Sequence, residues 1–413
     1  MFSNRNTVCA IELGTSKISV LTGVMDDAEC VTPTGYASAP SAGCVVKGEI
    51  TDMKKAAKIL NGVLDDVDSR SNGDLSDCRL VTVLVTGCGI DAKLSQGSAT
   101  VKNRDFLITE DEIAEAGDNA KAIHIAGDRE IINCSISHYC VDRRPVRNPL
   151  NQSARVLDAF VHIVHGKRQG IANFTNLINN AGLENARIEP VFSALASGIG
   201  VLTSSERENG SLLIDMGAGT TEYLVYVDDG IRVSGVLQVG MEHVVNDLAI
   251  GLELTPEQCR TLLESGALNR YCEEGGEFIE IKVSVNRTRK IPINSFEQIV
   301  DARIREIFEV VRSELQRNKM ALNLLSAGGI ITGGGALYTR SRDIFAQVFD
   351  CNCRVAVPGN LSGFTGISAG PQHSAVWGAL KTAEFFYSQL ELEPPSVMQS
   401  LLDRVYGVFK NRN

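Results

Sequence analysis

The sequence predicts an α/β protein of two or more domains, in which one small structural unit is used twice. Three observations carry that expectation. A chain of 413 residues is too long for a single hydrophobic core of ordinary size. Two stretches about 200 residues apart share one plan: a β-rich run ending in an acid, a turn of glycine and hydroxyl residues, and a second β-rich run. A third glycine turn, Gly333-Gly334-Gly335, follows another short β-rich run late in the chain.

In chain order, the first copy places strands at residues 8–11 and 17–22 around Gly14-Thr15-Ser16. Residues 81–86 and 131–141 are β-rich. They flank a helix opened by Thr109-Glu110-Asp111-Glu112, a capping box in which Thr109 and Glu112 reciprocally satisfy backbone amides. With a further strand at 159–164, residues 86–165 are expected to form a small α+β insertion. The second copy has strands at 212–214 and 222–227 around Gly217-Ala218-Gly219-Thr220-Thr221. Ile299, Ile304, Ile307, Phe308, Val311 and Leu315 then recur at near-helical spacing, predicting a helix over 295–317. A strand at 330–332 runs into the third glycine turn, with a helix after it.

The tail has its own pattern. Glu391-Leu392-Glu393-Pro394-Pro395 reads as a short stiff linker. Beyond it Met398, Leu401, Leu402, Val405, Val408 and Phe409 fall on one helical face, with Gln399, Asp403, Arg404 and Lys410 opposite. Such a helix either docks on the body or lies in a membrane interface, and the linker favours the interface. Six apolar side chains half buried in lipid give roughly 5–9 kcal/mol before helix-ordering costs, a marginal affinity for one copy. Assembled copies would bind by avidity.

Composition excludes other classes. At 44% hydrophobic and 22% charged residues the chain has the balance of a folded domain, not of a disordered one. A net charge of −10 argues against a general nucleic-acid binder, which needs a basic face. The eleven cysteines form no CxxC pair, and Cys351 and Cys353 fall short of the four ligands of a structural zinc. Residues 1–7 carry no secretory pattern, so the thiols are expected to be reduced in a cytosol. No apolar run is long enough to span a bilayer. The six histidines show no metal spacing, so His162 and His165 are read as structural, and Trp377 as packing.

The turns carry the chemistry. Phosphate binding needs amide hydrogens converging on one point, no Cβ where the backbone approaches, and hydroxyls to supplement the amides. Gly14, Thr15, Ser16 and Lys17 supply this, and so do Gly217, Ala218, Gly219, Thr220 and Thr221. Glu12 and Asp215, one per turn, are placed to hold Mg²⁺ through its water shell. Either hairpin alone is also compatible with an ordinary glycine-rich turn. Gly333, Gly334 and Gly335 add bare backbone against which a flat base and ribose would lie.

Two acid-bearing hairpins followed by a late triple-glycine turn resemble the actin-like ATPases, a superfamily that includes sugar kinases and the chaperone DnaK. Within it the chain resembles the FtsA family of bacterial cell-division proteins. The similarity runs through Ile11-Glu12-Leu13-Gly14-Thr15-Ser16-Lys17, residues 38–48 followed by Glu49-Ile50-Thr51-Asp52, Asp128-Arg129-Glu130-Ile131, Asn148-Pro149-Leu150, residues 246–252 and residues 332–337. It covers about residues 8 to 387.

The resemblance implies an actin-like fold of two ribonuclease-H-like lobes with an inserted α+β subdomain, plus a C-terminal amphipathic helix. Residues 1–85 and 166–205 would form the first lobe core, with 86–165 the insert. Residues 206–240 would form the second lobe core and 241–315 its subdomain, while 316–387 complete the second lobe and return to the first. A linker at 388–395 and a membrane helix at 396–413 would follow, with Leu401, Leu402, Val405, Val408 and Phe409 in lipid.

It also implies ATP and Mg²⁺ in the cleft between the lobes. Asp215 would orient the attacking water, and Glu189 before Pro190 would join the Mg²⁺ water shell. The implied partners are the FtsZ C-terminal tail, further copies of the chain, the inner membrane surface, and other division proteins through the insert; nucleic acid is not among them. The helix around Arg303, Arg305 and Glu306 would receive the acidic FtsZ tail, the alternative being a solvated face. The implied location is the cytoplasmic face of the inner membrane at the division site.

Three positions depart from the family pattern: Glu12 and Glu222 each stand where Asp is usual, and Ala218 where Gly is usual. Relatives often set a Glu and a Lys against the ribose, where this chain offers Glu257 and Arg260. The expectation is therefore nucleotide binding with at most weak ATPase turnover, since a displaced metal ligand costs rate more than binding. A small-molecule kinase and a pilus-assembly scaffold on the same fold are the alternatives.

Overall fold

The computed structural model describes residues 6–70, 75–87, 89–264, 277–284, 287–359 and 369–390. The expected membrane helix and residues 391–395 lie outside the described residues. The first lobe begins with β1 (Asn6–Leu13), β2 (Lys17–Met25) and β3 (Val31–Pro40), paired antiparallel in sequence. Val8, Cys9, Ala10 and Ile11 are all fully buried, as expected for a central strand covered on both faces. A two-residue ladder, β4 (Val45–Val46) with β5 (Glu49–Ile50), leads into α1 (Met53–Arg70). That helix turns Ala56, Leu60, Val63, Leu64 and Val67 inward and packs on β2 and β3. β6 (Leu80–Val85) then runs parallel to β1.

The insert follows: β7 (Asp91–Thr100), α2 (Glu110–Lys121), β8 (Arg129–Val141), β9 (Arg144–Val146) and β10 (Val156–Lys167). Its sheet has the order β7-β10-β8-β9, with α2 packed across β7 and β10. The capping box at Thr109 and Glu112 is present. The strand expected at 81–86 is paired within the first-lobe sheet. β7 has no counterpart in the sequence expectations, because its inward positions are small: Ser95, Gly97 and Ala99. They carry almost no hydrophobic signal, yet they let α2 approach so closely that a Cβ on Gly97 would overlap the helix backbone.

After α3 (Arg168–Ile178), β11 (Arg187–Phe192) pairs parallel with β6 and completes a sheet of order β3-β2-β1-β6-β11. α4 (Ser193–Val201) and α5 (Ser204–Glu208) lead to β12 (Ser211–Met216), β13 (Thr221–Val227) and β14 (Gly230–Leu237). α6 (Met241–Leu252), α7 (Pro256–Glu264), the hairpin of β15 (Phe278–Ser284) with β16 (Arg287–Pro292), and α8 (Ile293–Arg317) come next. β17 (Gly328–Thr332), α9 (Ser341–Phe349), β18 (Cys353–Val355) and α10 (Ser374–Leu390) end the described chain. The second sheet reads β14-β13-β12-β17-β18, three antiparallel strands and then two parallel ones. That is the order of the first sheet. The duplication seen in two hairpins extends to whole lobes.

The second-lobe core gathers Phe308 of α8 with Phe345 and Phe349 of α9, the latter two stacked with centroids 4.4 Å apart. α10 crosses back to pack on β1, β2, β6 and α4, burying Trp377 as expected. It runs through residues 388–390, where the linker was expected to begin. No helix among the described residues is long and apolar enough to cross a membrane. α4 is the joint, since it touches β11 of one lobe and β12 and β13 of the other. It meets α10 backbone to backbone, so that a Cβ on Gly378 would overlap the Ala196 carbonyl. The insert also reaches the second lobe. His162, buried and with its pKa pushed down to about 4 by that burial, shares a 3.1 Å hydrogen bond with Ser234 of β14.

This packing sets a paired prediction. Gly378→Val should destabilise the protein by about 2 kcal/mol or more, because two helix backbones would have to separate. Gly62→Ala, in an exposed stretch of α1 with no atom near the new Cβ, should stabilise it by about 0.5–1 kcal/mol. Urea unfolding of both variants reads the two signs.

Candidate functional site

The two hairpin turns are closed in the same way. The Gly14 amide donates to the Lys17 carbonyl at 2.9 Å, and the Gly217 amide donates to the Thr220 carbonyl at 2.9 Å. A Cβ at either glycine would crowd that same carbonyl, at 2.9 and 3.0 Å. The turns also touch each other. Gly219 lies so near the Thr15 hydroxyl that no side chain fits between, and the Thr86 and Thr220 hydroxyls stand 3.3 Å apart. Both turns line one cavity of about 310 Å³, together with Gly333 and Gly334. The start of α6 is tied to its floor, with the Met241 amide donating to Gly217 at 3.0 Å and the Glu242 amide to Ala218 at 2.8 Å.

The charged groups of the cleft are held from several directions. Lys17 Nζ donates to the Gln372 carbonyl at 2.9 Å and lies 3.5 Å from Glu12 Oε2. Burial works to lower its pKa, but Glu12 and Tyr36 outweigh burial, and the net shift is upward. Lys17 therefore stays a cation. Ser19 donates to Glu12 Oε2 at 2.7 Å, and Ser197 donates to Asp215 Oδ2 at 2.5 Å. Asp215 stands opposite Glu222 in the β12–β13 ladder, and both line the cavity. Burial pushes Asp215 up to about 6, against the opposing Ser197 hydrogen bond. Burial, and then the Asp215 charge, push Glu222 up to about 8.

Comparison with known proteins decides the family. The FtsA cell-division family model matches residues 212–378, and the model of the SHS2 domain inserted in FtsA matches residues 87–165. The FtsA of Neisseria meningitidis is 30% identical over 386 residues, covering 93% of this chain and 91% of its own. The chain belongs to the FtsA family of cell-division proteins. FtsA of Borreliella burgdorferi, 26% identical, covers 91% of this chain and 90% of its own. For FtsA of Escherichia coli K12, at 23% identity, the shares are 92% and 90%. Among solved structures, the PilM–PilN type IV pilus biogenesis complex aligns with TM-score 0.58 at 14% identity, over 94% of this chain and 99% of that one. MreB5 of Spiroplasma citri bound to ADP aligns with TM-score 0.55 at 14% identity, over 95% and 100%. The fold is actin-like, two ribonuclease-H-like lobes with the FtsA-type insert.

Of the residues that sequence analysis put in the site, Glu12, Gly14, Thr15, Ser16, Lys17, Asp215, Gly217, Ala218, Gly219, Thr220, Gly333 and Gly334 line the cavity. Three do not. Thr221 opens β13 with its side chain fully buried, and Gly335 is packed on Met216 and Met241. Glu189 sits on the edge strand β11, with Arg187 Nε donating to its Oε1 at 2.6 Å. The two residues share a strand face by their i, i+2 spacing, and the pair stays away from the cleft. Arg303 is also committed: Asp247 accepts from its Nε and Nη2 at 2.6 and 3.0 Å, and Glu306 from Nη1 at 2.6 Å.

Sequence reasoning missed others. Lys47 bonds its amide to Thr15 Oγ1 at 2.9 Å and its ammonium to the Gln238 carbonyl at 2.7 Å, joining the lobes. Glu242 and Leu263 line the cavity beside Arg260. Lys47 lies within the family-like segment 38–48, the one signal that marked it. Among the described residues no group of three or more His, Cys, Asp or Glu is placed to hold a metal directly. Glu12 and Asp215, each with one carboxylate oxygen engaged by a serine, are the residues that would hold Mg²⁺ through its water shell.

Glu222 generates a pH prediction. Its folded pKa lies above the ordinary carboxylate value, so the folded state keeps a proton that the unfolded chain has released. That stabilisation is complete below the unfolded pKa and is lost as pH rises through about 8, with Asp215 contributing through about 6. The protein should lose thermal stability from about pH 4 to pH 8 and level off above that, and Glu222→Gln should flatten the curve. Melting at fixed ionic strength tests it, and a slope unchanged by the substitution would place the proton elsewhere.

Proposed function

We propose that this chain binds ATP with Mg²⁺ in the interlobe cleft and, as a polymer, tethers FtsZ filaments to the cytoplasmic face of the inner membrane at the division site. One observation carries the nucleotide reading: two hairpin turns with the same closing bond, facing one cavity across two lobes of the same topology. Amides and hydroxyls from both turns converge there, beside a lysine that stays charged. The phosphates would lie against Gly14–Lys17 and Gly217–Thr220. Asp215 would position the attacking water, and Glu12 and Asp215 would hold the Mg²⁺ water shell. The metal would supply charge neutralisation of the phosphates. Nucleotide-bound MreB5 from Spiroplasma citri, of the same fold, supports this reading.

The tether rests on family membership together with the amphipathic pattern of residues 396–413. The acidic FtsZ tail is assigned to the subdomain of α6, α7, the β15–β16 hairpin and α8. Since Arg303 is already neutralised by Asp247 and Glu306, the tail would exchange one of those partners and not meet a bare cation. Self-assembly supplies the avidity that one marginal helix lacks.

Two experiments test these readings. ATP with Mg²⁺ should raise the melting temperature, since the ligand binds only the folded cleft. Asp215→Asn should lower hydrolysis by about 10²-fold or more while changing ATP affinity far less. Calorimetry that finds no binding at millimolar ATP would sink the nucleotide reading.

For the tether, full-length protein should carry FtsZ into the pellet with anionic vesicles. Phe409→Glu or Leu402→Glu should leave both proteins in the supernatant with the fold intact, because a charge must then enter the headgroup boundary. Wild-type sedimentation of Phe409→Glu would remove the anchor from residues 396–413.

A further inference from the structure

We propose that Lys47, at the tip of the β4–β5 hairpin, is a positioning residue that sets the two glycine turns of the cleft against each other before any nucleotide arrives. This rests on the nucleotide-binding reading above and adds to it how the two halves of the phosphate site are kept in register. Val46 and Glu49 are the last paired residues of that hairpin, so Lys47 and Gly48 form its two-residue turn. Both have positive φ, 49° and 77°, as such a turn requires. Asparagine, aspartate or glycine usually takes the first of these places, and here a lysine holds it. The tip is wedged against the end of β6. A Cβ on Gly48 would overlap the Thr86 carbonyl, and one on Gly87 would overlap the Lys47 carbonyl.

From that fixed point Lys47 reaches both turns. Its amide donates to Thr15 Oγ1 of the first turn at 2.9 Å, and a Cβ on Gly219 of the second would lie 3.2 Å from the same nitrogen. Its ammonium crosses to the second lobe and donates to the Gln238 carbonyl at 2.7 Å, with His243 Nε2 3.4 Å away. Burial, and then the Lys47 charge, lower the His243 pKa, so the imidazole is neutral at physiological pH and does not repel the ammonium. Gln238 lies in the link between β14 and α6, and that link carries the second turn. The Met241 amide donates to the Gly217 carbonyl at 3.0 Å and the Glu242 amide to the Ala218 carbonyl at 2.8 Å. Gly240 is pressed against both carbonyls, with no space for a Cβ. Holding Gln238 therefore holds Gly217 and Ala218. Lys47 does not itself line the cavity, so it acts through the second turn and not on a ligand.

A polyphosphate has to meet amides of both turns at once. Turns that are already aligned spare the ligand the cost of ordering them; otherwise the apparent affinity falls by the fraction of molecules that are aligned. Amide hydrogen exchange of the ligand-free protein, and calorimetric titration with ATP and Mg²⁺, read this in wild type, Lys47→Met and Lys47→Arg. Lys47→Met keeps the bulk of the side chain and loses its charge and its donors. Exchange of the Gly217, Met241 and Glu242 amides should then quicken by about tenfold, with the core of α8 unchanged, and ATP affinity should fall by about the same factor. Lys47→Arg, still a cation with donors for the Gln238 carbonyl, should recover most of both.

Wild-type exchange rates at these three amides in Lys47→Met would overturn the proposal, and so would wild-type ATP affinity. A merely structural role would quicken exchange across the whole second lobe, with no recovery of ATP affinity in Lys47→Arg, and that result overturns it too. A wild type that binds no ATP would overturn the nucleotide reading instead, a distinct result, while exchange at Gly217 still decides whether Lys47 holds the turns together. Should Lys47→Met fail to fold, Lys47→Gln, neutral and shorter, takes its place in both measurements.

Discussion

The cleft between the two lobes depends on one constraint: two turns must present bare backbone to the same volume. Every side chain placed between them would hold the lobes apart. Gly219 against Thr15 is where that constraint is tightest. The rest of the architecture serves the approach. Each turn lies between the first two strands of its own sheet, and the sheets have the same strand order, so the turns occupy equivalent places in two equivalent frames. The closing bonds of Gly14 and Gly217 then fix the direction of the amides in both.

What holds the frames together is a hydrophobic core shared between them, with Leu195 and Phe192 of one lobe clustered with Leu213, Leu224 and Tyr226 of the other, together with backbone contact and polar bridging. α4 and α10 meet at Gly200 and Gly378 with no side chain between them, an arrangement that tolerates little sliding. Lys47 spans the cleft to the Gln238 carbonyl, and the insert reaches the second lobe through His162 to Ser234 and Arg147 to Glu208. Each bridge is short and directional, so opening the cleft would break discrete hydrogen bonds as well as the shared core.

The sequence was most legible where backbone geometry leaves a residue-type signature. Gly14, Gly217 and Gly219 are glycines because a turn or a close approach demands it, and the duplicated pattern could be read from them directly. β7 was illegible for the complementary reason: Ser95, Gly97 and Ala99 pack by being small, which hydrophobic periodicity does not register. Within the site, errors came from facing. Thr221 and Gly335 adjoin true cleft residues in sequence but turn into the core, and strand alternation reverses direction with a single step. Glu189 failed differently, because its charge is already met by Arg187 away from the cleft. Arg303 is paired with Asp247, 56 residues away in sequence, a distance at which no local pattern announces an ion pair.

The electrostatics of the cleft also bear on why a nucleotide would need a cation there. Glu12, Asp215 and Glu222 converge in one place with Lys17 as their near counter-charge. Burial resolves part of the conflict by leaving Glu222 neutral at physiological pH, and Ser197 supports the charge on Asp215. A polyphosphate brought between Glu12 and Asp215 would reintroduce the repulsion that burial had removed, unless a divalent ion arrived with it. The neutrality of Glu222 thus lowers the negative charge of the cleft. Ionised, it would stand opposite Asp215 in the ladder and set two negative charges beside the phosphates. Protonated, it has a hydrogen-bond donor where an ionised carboxylate has none.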